Sequence, residues 1–144
     1  MAPTVFRIIL ALVVIYALMR GSRDERHVAI VCLVGAIGTT LVLSPLGQRF
    51  ESVEMPAMIV DIAVFGGFLA VALRSERFWP LWVAGLQLTA LTGHFLKAIE
   101  SDLLPRAYGA ALNFWAYPIV AILAIGTWRS ARRRSAHQQG LTTA

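Results

Sequence analysis

Five apolar stretches, each close to the length needed to cross a lipid bilayer, dominate this sequence and restrict what it can fold into. They run from Val5 to Met19, Val28 to Leu46, Met55 to Leu73, Phe78 to Ile99 and Tyr108 to Trp128. A helix crossing the hydrocarbon core needs roughly 17 to 25 residues, so four of the five fit directly. The first is short, and Arg7 within it can lend its aliphatic stem to the span while its guanidinium reaches the headgroups. Arg20-Gly21-Ser22-Arg23 follows that stretch in place of a small-x-small cleavage site, so it reads as a retained first span and not a signal peptide. The expected fold is an all-α membrane protein, a bundle of five transmembrane helices at about 5–20, 28–46, 55–73, 78–99 and 108–128. Residues 1–128 then form one transmembrane domain and 129–144 a basic cytoplasmic tail. Composition agrees: 58% of positions are hydrophobic, 15% are charged and the mean hydropathy is +0.68. Soluble domains of this size are less apolar, and little chain is left over for a soluble catalytic module.

The links between the stretches carry helix punctuation. Asp24 and Glu25 can cap the second helix, Pro56 and Pro80 stand where a first turn tolerates proline, and Pro45 and Pro105 lie near span ends. Pro118 falls inside the fifth span, where a missing N–H and a ring clash predict a kink that neighbouring helices can absorb. From His137 onward the composition predicts a disordered end.

Orientation follows from the basic residues. With the amino terminus outside, in the periplasm, the inner side holds Arg20, Arg23, Arg26, Arg74, Arg77, Arg129, Arg132, Arg133 and Arg134. The outer side holds only Arg7, Arg49, Lys97 and Arg106, and the two sets together account for all 13 Lys and Arg. Positive charge concentrates on cytoplasmic links, so the carboxyl terminus is expected inside. Trp79, Trp82 and Trp128 at the inner ends and Phe50, Tyr108 and Trp115 toward the outer ends supply interfacial anchors. The net charge of +5 is thereby explained by topology, and a nucleic-acid partner is not expected. The inner arginines can also contact anionic lipid headgroups, although positive-inside sorting alone requires such a tail. Twelve arginines against one lysine suggest a GC-rich bacterial genome and therefore an inner membrane. The first two spans and the next two form similar hairpins, Arg20 to Arg26 echoing Arg74 to Arg77, which topology sorting explains without duplication.

Chemistry, if there is any, should reside in polar residues inside the spans, because burying them in hydrocarbon costs several kcal/mol unless protein or water meets them. Asp61, His94 and Asn113 each lie about five residues from the outer end of a span, roughly 7 to 8 Å deep at 1.5 Å per residue. Gln87, His94 and Lys97 share one helical stripe, and Asn113 and Tyr117 share another. These faces are expected to converge on one outer polar cluster, with Glu54 or Glu100 near it. Two readings fit the cluster. In one, Asp61 accepts a proton or fixes the His94 tautomer, giving a proton relay or a site for a polar headgroup. In the other, Asp61, His94 and Asn113 simply join helices, each bond worth about 1 kcal/mol.

Templates for catalysis are missing. There is no Gly-x-Ser-x-Gly elbow, no His-Glu-x-x-His helix and no phosphate-cradling loop. His27 and His94 fall at opposite ends of their spans and cannot clasp one metal, and Cys32 is the lone cysteine, so neither metal nor cofactor is expected. Glycines suggest packing instead: Gly35 and Gly38, Gly66 and Gly67, and the ridge Gly85-Thr89-Gly93 at four-residue spacing. That ridge and the Gln87–His94 stripe occupy different faces, which predicts a fourth helix that is central or that meets a partner. The leading expectation is a non-catalytic protein embedded in the lipid bilayer that packs against other subunits or itself. The alternatives are a small transporter or proton-relay element built on Asp61 and His94 and, less favoured, a lipid-modifying membrane enzyme.

Overall fold

The computed structural model describes the backbone of residues 2–42, 55–99 and 105–142 and the side chains of 4–42, 55–99 and 114–141. Within them the chain is all helical: α1 (Ala2–Arg20), α2 (Arg23–Val42), α3 (Met55–Arg74), α4 (Trp79–Ile99) and α5 (Pro105–Thr142). Helices α3 and α4 match their apolar stretches to within a residue, α1 begins three residues before its stretch, α2 begins five residues before its stretch while 43–46 lie outside the described residues, and α5 runs well past Trp128.

Local chemistry sets the two turns. At the end of α1, Gly21 N–H bonds the Ala17 carbonyl at 2.7 Å. A Cβ on Gly21 would strike that same carbonyl oxygen and approach Glu25 Cβ to 2.8 Å, so only glycine fits this corner. Ser22 and Glu25 then form a capping box, the Glu25 carboxylate accepting from Ser22 N–H at 2.8 Å and from the Ser22 hydroxyl. At the second turn, Ser75 N–H closes α3 on the Val71 carbonyl at 2.9 Å, and Pro80 occupies the first turn of α4.

The helices pack in a ring in chain order, α1 against α2, α2 against α3, α3 against α4, α4 against α5 and α5 back on α1, while α2 and α5 also touch across the bundle. The expectation of a central fourth helix is therefore corrected: α4 packs mainly on α3 and α5, and it is α2 and α5 that each meet three neighbours. The physical reason is that the Gly85–Thr89 ridge faces outward and brings no helix onto that side of α4. The core is narrow, built from Leu10, Val14 and Ala17 of α1, Val28 and Ala29 of α2, Phe68 of α3, Val83 and Ala84 of α4, and Ile119, Val120 and Leu123 of α5. Helices α2 and α3 approach closely through glycine. A Cβ on Gly35 would lie 2.6 Å from Val64 Cγ2, one on Gly38 3.2 Å from Val60, and one on Gly67 3.0 Å from Val31.

Helix α5 corrects the expected disordered end. It has 38 residues, passes through Pro118 and continues to Thr142, so the tail from Arg129 to Leu141 is a helix with its later residues exposed. Ala131, Arg132, Arg133, Arg134, Ala136, Gln138 and Gln139 are strong helix formers with no breaker before Gly140, and the tail inherits a helix already nucleated in the bundle. Among the described residues two helices, Arg23–Val42 and Met55–Arg74, are long and apolar enough to cross a membrane, with mean hydropathies of 1.5 and 2.1.

Candidate functional site

The α3–α4 hairpin sets the geometry of the polar residues. Asp61 lies 13 residues before the last residue of α3 and His94 15 residues after the first of α4. At 1.5 Å per residue both stand about 20 Å from the turn, so antiparallel packing brings them level. The contact is direct: His94 Nε2 is 2.7 Å from Asp61 Oδ2. Gln87, two turns nearer the hairpin on the same face of α4, donates from Nε2 to Asp61 Oδ1 at 3.3 Å. Gln87, Ala90, His94 and Lys97 are all buried, so the polar stripe forms the inward face of α4 as its spacing predicts. His94 and Lys97 are each only 3% exposed, whereas the Asp61 side chain retains 27% exposure. The carboxylate is thus the part of the cluster nearest the surface, and the imidazole lies behind it.

Tyr117 does not join this group. Its ring packs edge-on against Phe6 of α1 with centroids 5.0 Å apart, on the α1 side of α5. The Asn113 side chain, Glu54 and Glu100 lie outside the described residues. Among the described residues no group of three or more His, Cys, Asp or Glu is arranged to hold a metal ion. The small residues divide by face. Gly67 packs on Val31, while nothing lies within 4 Å of a Cβ added to Gly66 or Gly85. Thr89 is exposed too, and its hydroxyl is satisfied by the Gly85 carbonyl at 3.1 Å.

A second polar assembly sits at the arginine-rich end of the bundle. Glu25 has no solvent exposure. Its Oε1 accepts from Arg77 Nη1 at 2.8 Å and from Ser130 Oγ at 2.7 Å, and Arg77 Nη1 also donates to Ser130 Oγ at 2.7 Å. Its Oε2 is held by Ser22. Next to this triangle Ser75 Oγ donates to Asp24 Oδ2 at 2.7 Å and accepts from Arg77 N–H at 3.0 Å, while Arg77 Nε stands 4.0 Å from Asp24. The network joins the α1–α2 turn, the α3–α4 turn and α5. Arg134 adds a further tie by donating to the Arg20 carbonyl, and Arg132 lies 5.0 Å from the Trp128 ring in a cation–π contact.

Sequence reasoning missed this network. It assigned Glu25 to helix capping and Arg77 to topology. The Ser22-x-x-Glu25 spacing signals the capping box, but no local pattern signals that the carboxylate also reaches residues 52 and 105 positions away. Comparison with known protein families, characterised proteins and solved structures finds no match to this chain.

The network makes a quantitative expectation. Removing one partner of a buried ion pair costs about 3 to 5 kcal/mol, which the 36% exposure of Arg77 reduces to about 2 to 3 kcal/mol here. Glu25→Ala should therefore lower stability by that amount in detergent unfolding titrations, while Asp24→Ala should cost less than about 1 kcal/mol. Equal effects of the two substitutions would contradict the assignment of Glu25 as the central residue.

Proposed function

We propose that this chain is a five-span integral protein of a bacterial inner membrane, with its amino terminus outside and its arginine-rich end in the cytoplasm. Its role on this reading is that of a non-catalytic component that associates with other membrane subunits or with itself. Support for the membrane reading comes from the outward surface. Leu12, Val34, Leu41, Ile59, Leu73, Phe78, Leu96 and Ile125 are all at least half exposed, spread over all five helices. Water would penalise such a surface, whereas acyl chains match it. Orientation is supported by the gathering of both short turns and the carboxyl-terminal part of α5 at one end, where their arginines lie together.

The observation that carries the association reading is the outer face of α3. Ile59, Ile62, Ala63, Gly66, Ala70 and Leu73 are exposed in one helical stripe, with the small residues Ala63, Gly66 and Ala70 forming a flat strip between larger ones. Gly66 has no internal work to do, since a Cβ there meets nothing within 4 Å. Flat small-residue strips let a second helix approach closely in a bilayer. Gly66→Leu therefore tests the reading cleanly. In lipid nanodiscs the native chain should travel in a particle heavier than one copy, and Gly66→Leu should release the single chain without lowering its melting midpoint. Gly35→Leu, which drives a side chain into Val64, should instead destabilise the fold by about 1 to 3 kcal/mol. A native particle containing a single copy and no other protein would refute association.

A second reading, a proton relay, is favoured by one observation: the partly exposed Asp61 carboxylate bonded to the buried His94 imidazole at 2.7 Å. An imidazole behind an accessible carboxylate can take a proton from it and pass it inward. In proteoliposomes under an imposed pH gradient, this reading expects proton flux that Asp61→Asn abolishes with folding intact. Flux unaffected by Asp61→Asn, together with a stability loss of about 1 kcal/mol, would leave the pair as a helix clamp.

A further inference from the structure

The four arginines at the start of the α5 tail do not share one task. Arg134 is tied to the Arg20 carbonyl and Arg132 lies against Trp128. Arg129 and Arg133, four residues apart and so on one face of α5, both line an open cleft of about 440 Å³ between the start of α4 and α5. Arg77 lines it as well, with Phe78, Trp79 and Trp82 forming its aromatic side. No acidic residue lines the cleft. Arg77 is neutralised from behind by Glu25, so the uncompensated charge belongs to Arg129 and Arg133, whose side chains make no hydrogen bond or ion pair among the described residues. Like charges at this spacing repel, and an anion between them removes the repulsion. Trp79 adds a second, independent sign. Its indole N–H is buried without a hydrogen-bond partner among the described residues, and its ring lines this same cleft beside Gly126, where an added Cβ would lie 3.5 Å from it. A buried donor left unpaired is costly, which marks the aromatic wall of the cleft as a place where the described residues leave a polar group unsatisfied.

The cleft does not end at the arginines. Phe78 and Trp82 also line an adjoining groove of about 410 Å³ that runs along the outer surface of α4 past Leu81, Gly85 and Thr89. An arginine-rich basin thus opens into an apolar channel floored by a glycine, at the end of the bundle where Trp79, Trp82 and Trp128 cluster. We propose that this double cleft holds one anionic phospholipid, with its headgroup phosphate between Arg129 and Arg133 and an acyl chain along the Trp82–Gly85–Thr89 face of α4. The inference rests on the membrane reading above and uses a face distinct from the α3 strip. A free phosphate shares the headgroup chemistry, but it gives the apolar groove nothing to do.

The test compares two double variants that remove the same charge from the same end of the protein. Arg129→Gln with Arg133→Gln empties the cleft of its free charge. Arg23→Gln with Arg26→Gln removes two exposed arginines from the first turn of α2, away from the cleft. Native mass spectrometry of the detergent-solubilised chain titrated with phosphatidylglycerol reads the affinity. Two arginines should be worth about 30-fold in retained phosphatidylglycerol, lost in the cleft variant and changed less than about 3-fold in the turn variant. Phosphatidylcholine should bind the native chain no better than the cleft variant binds phosphatidylglycerol, and millimolar sodium phosphate should not displace the lipid. Equal losses in both variants would mean diffuse attraction and overturn the site, and displacement by inorganic phosphate would overturn the lipid as occupant. If the membrane reading itself is wrong, the native chain will stay dispersed without detergent, a separate readout from lipid retention.

Discussion

Everything at the arginine-rich end of this protein depends on the burial of one carboxylate. Moving an ionised Glu side chain out of water costs several kcal/mol unless a counter-charge and hydrogen bonds replace the solvent. Glu25 obtains that replacement from three separate parts of the chain: Ser22 in its own turn, Arg77 in the α3–α4 turn and Ser130 on α5. Because none of these alone can satisfy both oxygens, the carboxylate is compensated only when the two hairpins and the last helix are docked together. A narrow core of Val, Leu, Ala, one Ile and one Phe gives little directional information about how five similar helices should pack, and the network supplies it.

The opposite arm of the α3–α4 hairpin repeats the logic with a smaller cast. Asp61 faces His94 and Gln87, so the two helices are pinned by polar contacts at both ends, about 20 Å apart along the axis. Between α2 and α3 the fit is steric, through Gly35, Gly38 and Gly67 against valines. What the bundle does not do is cover its outer surface. Gly66 on α3 and Gly85 on α4 open outward, and the arginines of the α5 tail divide between internal ties and an open cleft.

The sequence allowed the helices to be read because each apolar run ends at charges, proline or glycine, and the boundaries of α3 and α4 fall within a residue or two of expectation. It also allowed Asp61, His94 and Gln87 to be grouped, since a shared helical stripe and equal depth from the outer ends of two spans are simple periodic facts. Glu25 was hidden for the opposite reason. Its partners lie 52 and 105 residues away, and an acid among arginines in a turn looks like ordinary solvated charge until the docking of α5 is known. The ring order of the helices was hidden too, because small residues on two faces of α4 do not reveal which face meets protein. The helix beyond His137 contradicted the expected disordered end because a polar chain end reads as unstructured, while the preceding residues from Arg129 are good helix formers that extend a helix already packed in the bundle.

The central claim is that the arginine-rich network lies on the cytoplasmic side of a membrane that the chain crosses five times. Cysteine accessibility tests it most directly, with Cys32 replaced by serine and a single new cysteine introduced by Gln48→Cys or by Ser135→Cys. In intact bacterial cells a membrane-impermeant maleimide should label Gln48→Cys at once, and Ser135→Cys only after the membrane is permeabilised. Labelling of Ser135→Cys in intact cells, with Gln48→Cys protected or equally labelled, would contradict the orientation and the account built on it.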